Sequence, residues 1–392
     1  MILCTEISLN VRILDMDSDV TPRAAGRRNS SAAIHDLWKG CVSVIVPVYN
    51  EATHVDELLQ AIHASPVKKE IIIVDDGSTD RTAEIARGFA SKKVVVVSTE
   101  NQGAAAARNH ALQLCQGDYI QWLDADDILA PDKIERQLTA LREIDSKRTL
   151  FSSSWATFSY RTSRARFVPT SLWQDLTPVE WFVKKMSENL YMQTATWLTS
   201  RELTQAVGPW DTRLLSDDDV EYFCRVLLAS DRIHFVPDAR VFYRAIRSSR
   251  LSYVGTSDKK KDALVLSLKL QIQHARSVED SDRVRRSCLI CLKNRLGEFY
   301  PERPDLVAEL QALAAQLGGA REMPRLRPKY AWMEFIFGAK VAKSAQIVLP
   351  RIKASMVRCW DKAIYSLEIG RMVFSHVLKP KSIAHEDSKW RE

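Results

Sequence analysis

The chain has 392 residues, long enough for two domains, and its 46 % apolar content excludes global disorder. The formal charge of +7 is unevenly placed: residues 321–392 carry 15 Lys+Arg against 7 Asp+Glu, and the remainder 41 against 42. The basic surplus therefore lies in the tail, which argues against nucleic acid as the main substrate and fits a tail near an anionic surface.

Residues 1–40 open with a mixed-polarity stretch and then TPRAAGRRNSSAAIHD, small, basic and turn-rich. They read as a flexible leader, with a short strand near Ile7–Leu14 as an option. The first twenty residues lack a basic segment followed by a long apolar core, so they make a poor signal peptide. No stretch of about 20 uncharged apolar residues occurs, so no transmembrane helix is predicted. The seven cysteines are scattered. Cys288 and Cys291 form one isolated CxxC, better read as two positions on one helix face than as half a zinc site, and a reducing cytosol is the simplest compartment.

Order begins at Val42. VSVIVPV is a β-branched run of the kind covered on both faces of a sheet. Pro47, Tyr49, Asn50 and Glu51 end it, and Val55, Leu58, Leu59 and Ile62 then recur at helical spacing. Ile71–Val74 form a second buried strand, followed by the polar turn Asp75–Asp80. A helix capped by Thr79 or Asp80 runs to about Phe89. Val94–Val97 form a third strand. NQGAAAARNHALQLC is a Gly-opened, Ala-rich helix, and Tyr119, Ile120, Trp122 and Leu123 form a fourth strand ending at Asp124. Strands alternating with helices predict an α/β fold with a mostly parallel central sheet flanked by helices, Rossmann-like in its βαβ units.

In such sheets ligands bind beyond the carboxyl ends of the strands. Tyr49, Asn50 and Glu51, then Asp75 and Asp76, then Asp124, Asp126 and Asp127 all fall on that edge. Three carboxylates at a strand end repel one another unless a cation sits among them, and oxygen-only ligands suit Mg²⁺ or Mn²⁺ bridging to phosphates. The bland alternative is a solvated acidic turn with Asp132 as N-cap of a helix entered at Pro131. Neither GxxxxGK[ST] nor GxGxxG follows the first strand, so a diphosphate would need neutralisation by a cation held on carboxylates.

PVYNE (Pro47–Glu51), VDDGSTD (Val74–Asp80), NQGAAAARN (Asn101–Asn109), LDADD (Leu123–Asp127) and GPWDTRLLSDDDVEYFCRVLL (Gly208–Leu228) together resemble a family 2 glycosyltransferase of GT-A fold, over roughly Val42–Arg250. The resemblance implies inverting transfer from a nucleotide-diphosphate sugar, UDP-sugar favoured. It implies an acceptor that is a saccharide or lipid-linked saccharide, in cell-surface polysaccharide or glycoconjugate synthesis. By it Pro47, Tyr49 and Glu51 line the nucleotide pocket, Asp76 receives the base edge with Asp75 in support, and Arg108 lies near the nucleotide or diphosphate. Asp126 is the ribose- or metal-contacting acid, Asp127 the metal ligand and Asp124 their partner. The family's base precedes an aromatic-rich helix with Arg six positions on; Arg225 lies six after Asp219, making Asp219 the base and Asp218 the alternative. Otherwise Asp217–Asp219 merely cap the helix near Val220. A non-catalytic nucleotide-sugar-binding relative and a sugar nucleotidyltransferase are the competing readings; the intact acidic motif opposes the first and the missing Gly- and Lys/Arg-rich loop the second.

Trp210 and Trp197 read as core packing ahead of sugar stacking, and His54, His63, His110 and His234 as structural. The aromatic-rich segment 151–192 would shape the acceptor site. The catalytic domain is expected over 41–255. From about Ser257 the alternation stops and 256–392 reads as a helical, basic C-terminal region. Within it Trp332, Phe335 and Ile336, then Met356, Val357, Trp360, Ile364, Leu367 and Phe374, form apolar faces with Lys353, Arg358, Lys362 and Arg371 around them. This fits an in-plane membrane helix at 321–392, on a protein that is cytoplasmic and peripheral at the inner membrane face, or an amphipathic helix docked on the core.

Overall fold

The structure, a computed structural model, describes residues 40–144, 146–245, 257–320 and 330–377. The expected leader and the strand near Ile7–Leu14 lie outside the described residues, as does the boundary expected at 255/256. In chain order the elements are β1 (Val42–Val48), α1 (Val55–Ala64), β2 (Lys69–Asp75), α2 (Thr82–Arg87), β3 (Val94–Ser98), α3 (Ala104–Leu114), β4 (Tyr119–Trp122), β5 (Ile128–Leu129), α4 (Lys133–Ile144), β6 (Thr149–Phe158), β7 (Arg166–Phe167), α5 (Pro178–Glu188), β8 (Leu198–Ser200), α6 (Arg201–Val207), α7 (Asp218–Ala229), β9 (Arg232–Arg244), α8 (Asp258–Val278), α9 (Asp282–Phe299), α10 (Pro304–Gln316) and α11 (Ala331–Val377).

One sheet runs β3-β2-β1-β4-β8-β6-β9-β5, with β7 on β6. The expected parallel βαβ units occupy β3-β2-β1-β4. Beyond β4 the sheet is mixed: β8 joins β4 and β6 antiparallel, β5 joins β9 antiparallel, and β6 and β9 pair in parallel across a register shift at Ser153/Ser154. Val48 sits opposite Asp75 and Ile45 opposite Trp122. The loops after β1, β2 and β4 therefore leave the sheet on one edge.

The strands are apolar on both sides because each face is covered. Val44, Val46 and Ile73 pack with Leu58, Leu59 and Ile62 of α1 on one face. Ile45, Ile72 and Trp122 pack with α3, α5 and α7 on the other. Small side chains at Ala105, Ala107 and Ala111 let α3 lie close to that face. Leu264, Leu268, Cys288, Cys291, Leu292 and Leu310 of α8–α10 belong to this second core, so these helices extend it. Cys288 and Cys291 are both buried along α9, the helix-face arrangement expected of them.

α2 starts at Thr82, one or two residues later than expected, with Arg81 at the N-cap and no side-chain cap. Asp80 is spent elsewhere: its carboxylate accepts from Thr82 N at 2.9 Å and from Ala52 N of the neighbouring loop at 3.3 Å. α11 breaks at Gly338, whose φ is +79°.

Candidate active site

The first lip of the cleft is built by the loops after β1 and β2, laced to each other. Asn50, at φ +52°, donates its N–H to Ser78 Oγ (2.9 Å) and accepts from Thr79 N at Oδ1 (2.8 Å). Glu51 N donates to Thr82 Oγ1 at 2.7 Å. Asp75 Oδ1 accepts from Ser78 N at 3.2 Å, closing its own turn. Asp76 is buried and accepts Gln102 N and Gly103 N, one on each oxygen, both at 2.8 Å. Two glycines make this possible. Gly103 at φ +93° turns its backbone toward Asp76 at the start of α3. Gly77 at φ +75° lies so close to the next loop that a Cβ would stand 2.9 Å from Asn101 N. Pro47 is half-buried in β1, Tyr49 stands 48 % exposed on the rim, and Glu51 Oε2 meets His54 Nδ1 at 2.9 Å.

The acidic loop after β4 divides by burial. Asp127 is wholly buried; Gln193 Nε2 donates to Oδ2, and Arg244 N donates to Oδ1 at 2.9 Å. Arg244 Nε also donates to Asp126 O at 2.8 Å. Asp127 thus braces the loop against β9 and the short 3₁₀ turn Thr194–Thr196. Asp124 and Asp126 are half-buried. Asp124 Oδ1 accepts from Arg108 Nη2 at 2.8 Å.

The second lip is the first turn of α7. Asp217 adopts φ +57° and makes no side-chain cap, so the acidic triple is not a simple N-cap. The turn sends Asp218 and Asp219 to different partners. Asp218 Oδ2 accepts from Arg108 Nη1 at 2.7 Å. Asp219 Oδ2 accepts from the Thr194 hydroxyl at 3.1 Å. Behind Asp219 lies an apolar wall that includes Trp181, Met192, Trp197 and Phe223, around a void of about 20 Å³, room for a water and not for a sugar. Desolvation by this wall, then the charges of Asp218 and Asp217, push the Asp219 carboxyl up to about 7, with Arg108 opposing.

Asp124, Asp218 and Asp219 therefore come together across the cleft, linked through Arg108. Arg108 is 5 % exposed and spends its guanidinium on two carboxylates, Asp124 and Asp218. Asp127, expected as a metal ligand, is turned inward because two donors from distant segments hold both its oxygens. Thr194, Gln193 and Arg244 were missed: they carry no motif and reach the site only through the β6–β9 half of the sheet. Trp210 stacks on Tyr222 at 4.1 Å and 6°, and Trp197 on Phe223 at 5.5 Å, so both are core residues as read. His234 Nδ1 meets Asp175 Oδ2 at 2.8 Å, the structural role expected.

A divalent cation fits this donor set in a limited way. Among the described residues no three carboxylate, imidazole or thiol groups form a ready cage. Mg²⁺ needs only one or two carboxylates with substrate phosphates and water, and Asp124 and Asp126 are the half-buried carboxylates of this loop.

Glycosyl transferase family 2 is the family whose model matches, over residues 43–198. An uncharacterized glycosyltransferase of Haemophilus influenzae is 44 % identical over 101 residues, 25 % of this chain and 40 % of the relative. TuaG of Bacillus subtilis, described as a putative teichuronic acid biosynthesis glycosyltransferase, is 42 % identical over 112 residues, 27 % of this chain and 44 % of TuaG. GlyG of Streptococcus pneumoniae, a glycosyltransferase, is 28 % identical over 217 residues, 52 % of this chain and 70 % of GlyG. The chain thus spans less than half the length of the first two. S. aureus TarS 1–349 in complex with UDP-GlcNAc is similar at TM-score 0.57 and 20 % identity, covering 78 % of this chain and 91 % of that one, which shows the shared fold. Residues 43–198 thus match the glycosyl transferase family 2 model, and the chain shares the GT-A-type fold of TarS.

Proposed function

We propose that this protein transfers a sugar, with inversion, from a nucleotide-diphosphate sugar to a hydroxyl of a saccharide or lipid-linked saccharide, in cell-surface polysaccharide or glycoconjugate synthesis. A uridine nucleotide is favoured as donor, on the likeness to TarS solved with UDP and with UDP-GlcNAc. The observation that carries the reading is the setting of Asp219: partly buried, held by one hydroxyl, and within the field of half-buried Asp124 of the β4 loop.

The loops after β1 and β2 bind the nucleoside, with Tyr49 as an exposed ring on the rim and Asp76 and Asp75 as fixed acceptors beneath it. Asp126, and Asp127 by bracing the loop, would hold Mg²⁺ or Mn²⁺ against the diphosphate; bound there, the ion supplies Lewis-acid stabilisation of the leaving group. Asp219 takes the proton from the acceptor hydroxyl as that oxygen bonds to the anomeric carbon and the bond to the diphosphate oxygen breaks. A carboxyl poised near neutral pH suits that role, because about half of it is ionised there and it is basic enough to accept. Asp218, in its ion pair with Arg108, is the poorer candidate.

The protein works at the cytoplasmic face of a membrane, peripheral to it through 321–392, in this reading. Its support is the exposed apolar side of α11; no described helix is long and apolar enough to cross a membrane. The test of the enzyme is release of nucleoside diphosphate from a panel of sugar nucleotides with Mn²⁺, before and after EDTA. Turnover with a UDP-sugar, lost in EDTA and restored by Mn²⁺, is expected; turnover with none of the panel overturns the reading.

A further inference from the structure

Arg108 belongs to α3, whose first turn is tied to Asp76, yet its side chain leaves the donor lip and reaches the base helix. Its Nη2 binds Asp124 at 2.8 Å and its Nη1 binds Asp218 at 2.7 Å. Its guanidinium carbon lies 4.4 Å over the Trp210 ring. Trp210 in turn stacks on Tyr222, one turn along α7 from Asp218. The next residue of α3, Asn109, accepts from Trp210 N at 2.7 Å and donates to Trp210 O at 2.9 Å. Two neighbours on α3 thus grip α7 at two points, by charge at Asp218 and through a clamped indole at Tyr222.

We propose that Arg108 is a positioning residue that locks the first turn of α7 to the acidic loop after β4, holding Asp218 out of the reaction so that Asp219 alone faces the acceptor. The inference rests on the reading of Asp219 as base. It departs from a donor-binding role for Arg108, since a guanidinium with two carboxylates and an aromatic face already engaged is poorly placed to bind a diphosphate.

The charged groups around Asp219 are Asp217 and Asp218 on its own helix, Arg108 from α3, Asp124 from the β4 loop and Lys185 from α5; Arg295 of α9 faces Asp217. Removing Arg108 leaves the acids unopposed and raises the pH at which Asp219 ionises. Removing the charge of Asp218 lowers it. A residue with a purely architectural role would produce neither shift.

The experiment is a pH profile of kcat and kcat/KM, for donor and for acceptor, in the full chain and in Arg108→Met, Arg108→Lys and Asp218→Asn. Expected are an acidic limb moved upward in Arg108→Met with kcat down about 10–100-fold, a threefold change or less in donor KM, partial rescue by Lys, and a limb moved downward in Asp218→Asn. A tenfold rise in donor KM with kcat and limb unmoved in Arg108→Met, or an unmoved limb in Asp218→Asn, overturns the proposal. Should Arg108→Met not fold, Arg108→Lys and Asp218→Asn still decide it by the same limb. Full activity in Asp219→Asn would instead remove the base assignment itself, which separates the two failures.

Discussion

The two lips of the cleft hold carboxylates in opposite ways. On the donor lip, Asp75 and Asp76 accept backbone N–H groups from turns that exist to supply them. On the base lip, Asp219 has one hydroxyl donor, two aspartates beside it and an apolar wall behind. Amide donors fix a carboxylate's orientation, which suits binding; crowding and burial disfavour the charge at Asp219, which suits taking up a proton. In the proposed reading the same residue type serves recognition on one side and chemistry on the other, and the surroundings decide which.

The largest expected effect breaks the comparison at its chemical end. Asp219→Asn keeps the shape and removes the proton acceptor, so kcat should fall about 10²–10⁴-fold in a diphosphate-release assay. In the wild type the acid limb should rise through about pH 7. The stability sign follows from the same shift. A carboxyl raised from 3.8 to about 7 on folding lends stability that is complete below the unfolded value and is lost as pH climbs through the folded one. Asn cannot ionise and has no such loss, so the variant should gain in melting temperature relative to wild type between pH 5 and pH 8. A constant gap between the two across that range would mean Asp219 is not strained.

Next in size is Asp127→Ala, which tests whether this acid braces or binds. It strands Gln193 Nε2 and Arg244 N in the interior, at roughly 1–3 kcal/mol for each donor left unpaired. Denaturant melts without added metal should show the loss in full. An unchanged melt together with a weakened Mn²⁺ response would return Asp127 to the ligand role first expected of it.

Gly77→Ala should cost less, about 1–2 kcal/mol for a non-glycine residue held at positive φ, plus whatever the loop yields to relieve the close approach to Asn101. The expected signature on the donor lip is a raised donor KM with little change in kcat, the reverse of Asp219→Asn. Equal effects on both parameters would mean that the two lips are not separable.

What could be read ahead of the structure follows the same divide. β1, β2 and β3 are short β-branched runs, each followed by a helix, so local pattern is enough to place them and the acids at their ends. β6 and β9 pair in parallel although 83 residues separate their starting points, Thr149 and Arg232, and β9 carries Pro237 and Asp238 through its register shift. No local period announces such a pairing. Gln193, Thr194 and Arg244 were invisible for that reason, and so were the two donors that hold Asp127. The spacing of Arg225 from Asp219, on which the choice of base rests, has a structural counterpart: Arg225 binds Glu221 and the carbonyls of Val207 and Pro209, holding the GPW loop against α7.

The smallest effect on stability is expected at α11, where the contrast between partnered and unpartnered groups is sharpest. This helix meets the protein with polar side chains: Lys343 binds Glu302 and the carbonyls of Glu298 and Tyr300, and Asp361 binds Tyr160 N and Arg161 Nε. These two positions lie about five turns apart on one side. Val348, Leu349, Ile352, Met356, Trp360 and Leu367 face away, Trp360 at 71 % exposed, and Phe335 before the Gly338 break at 93 %. The side chains of Lys353, Arg371 and Phe374 lie outside the described residues. A helix docked for its own burial would show the opposite arrangement, apolar side in. With 7 Lys+Arg against 3 Asp+Glu over 331–377, an anionic leaflet is the surface that matches both its apolar side and its charge. Phe335→Ser with Trp360→Ser should therefore shift stability by only about 0.5 kcal/mol, since neither ring is covered by protein. The pair should lose co-sedimentation with vesicles containing anionic lipid while keeping turnover on a soluble acceptor. Equal recovery with such vesicles before and after the substitutions would remove the membrane assignment and leave the apolar side to another copy of the chain.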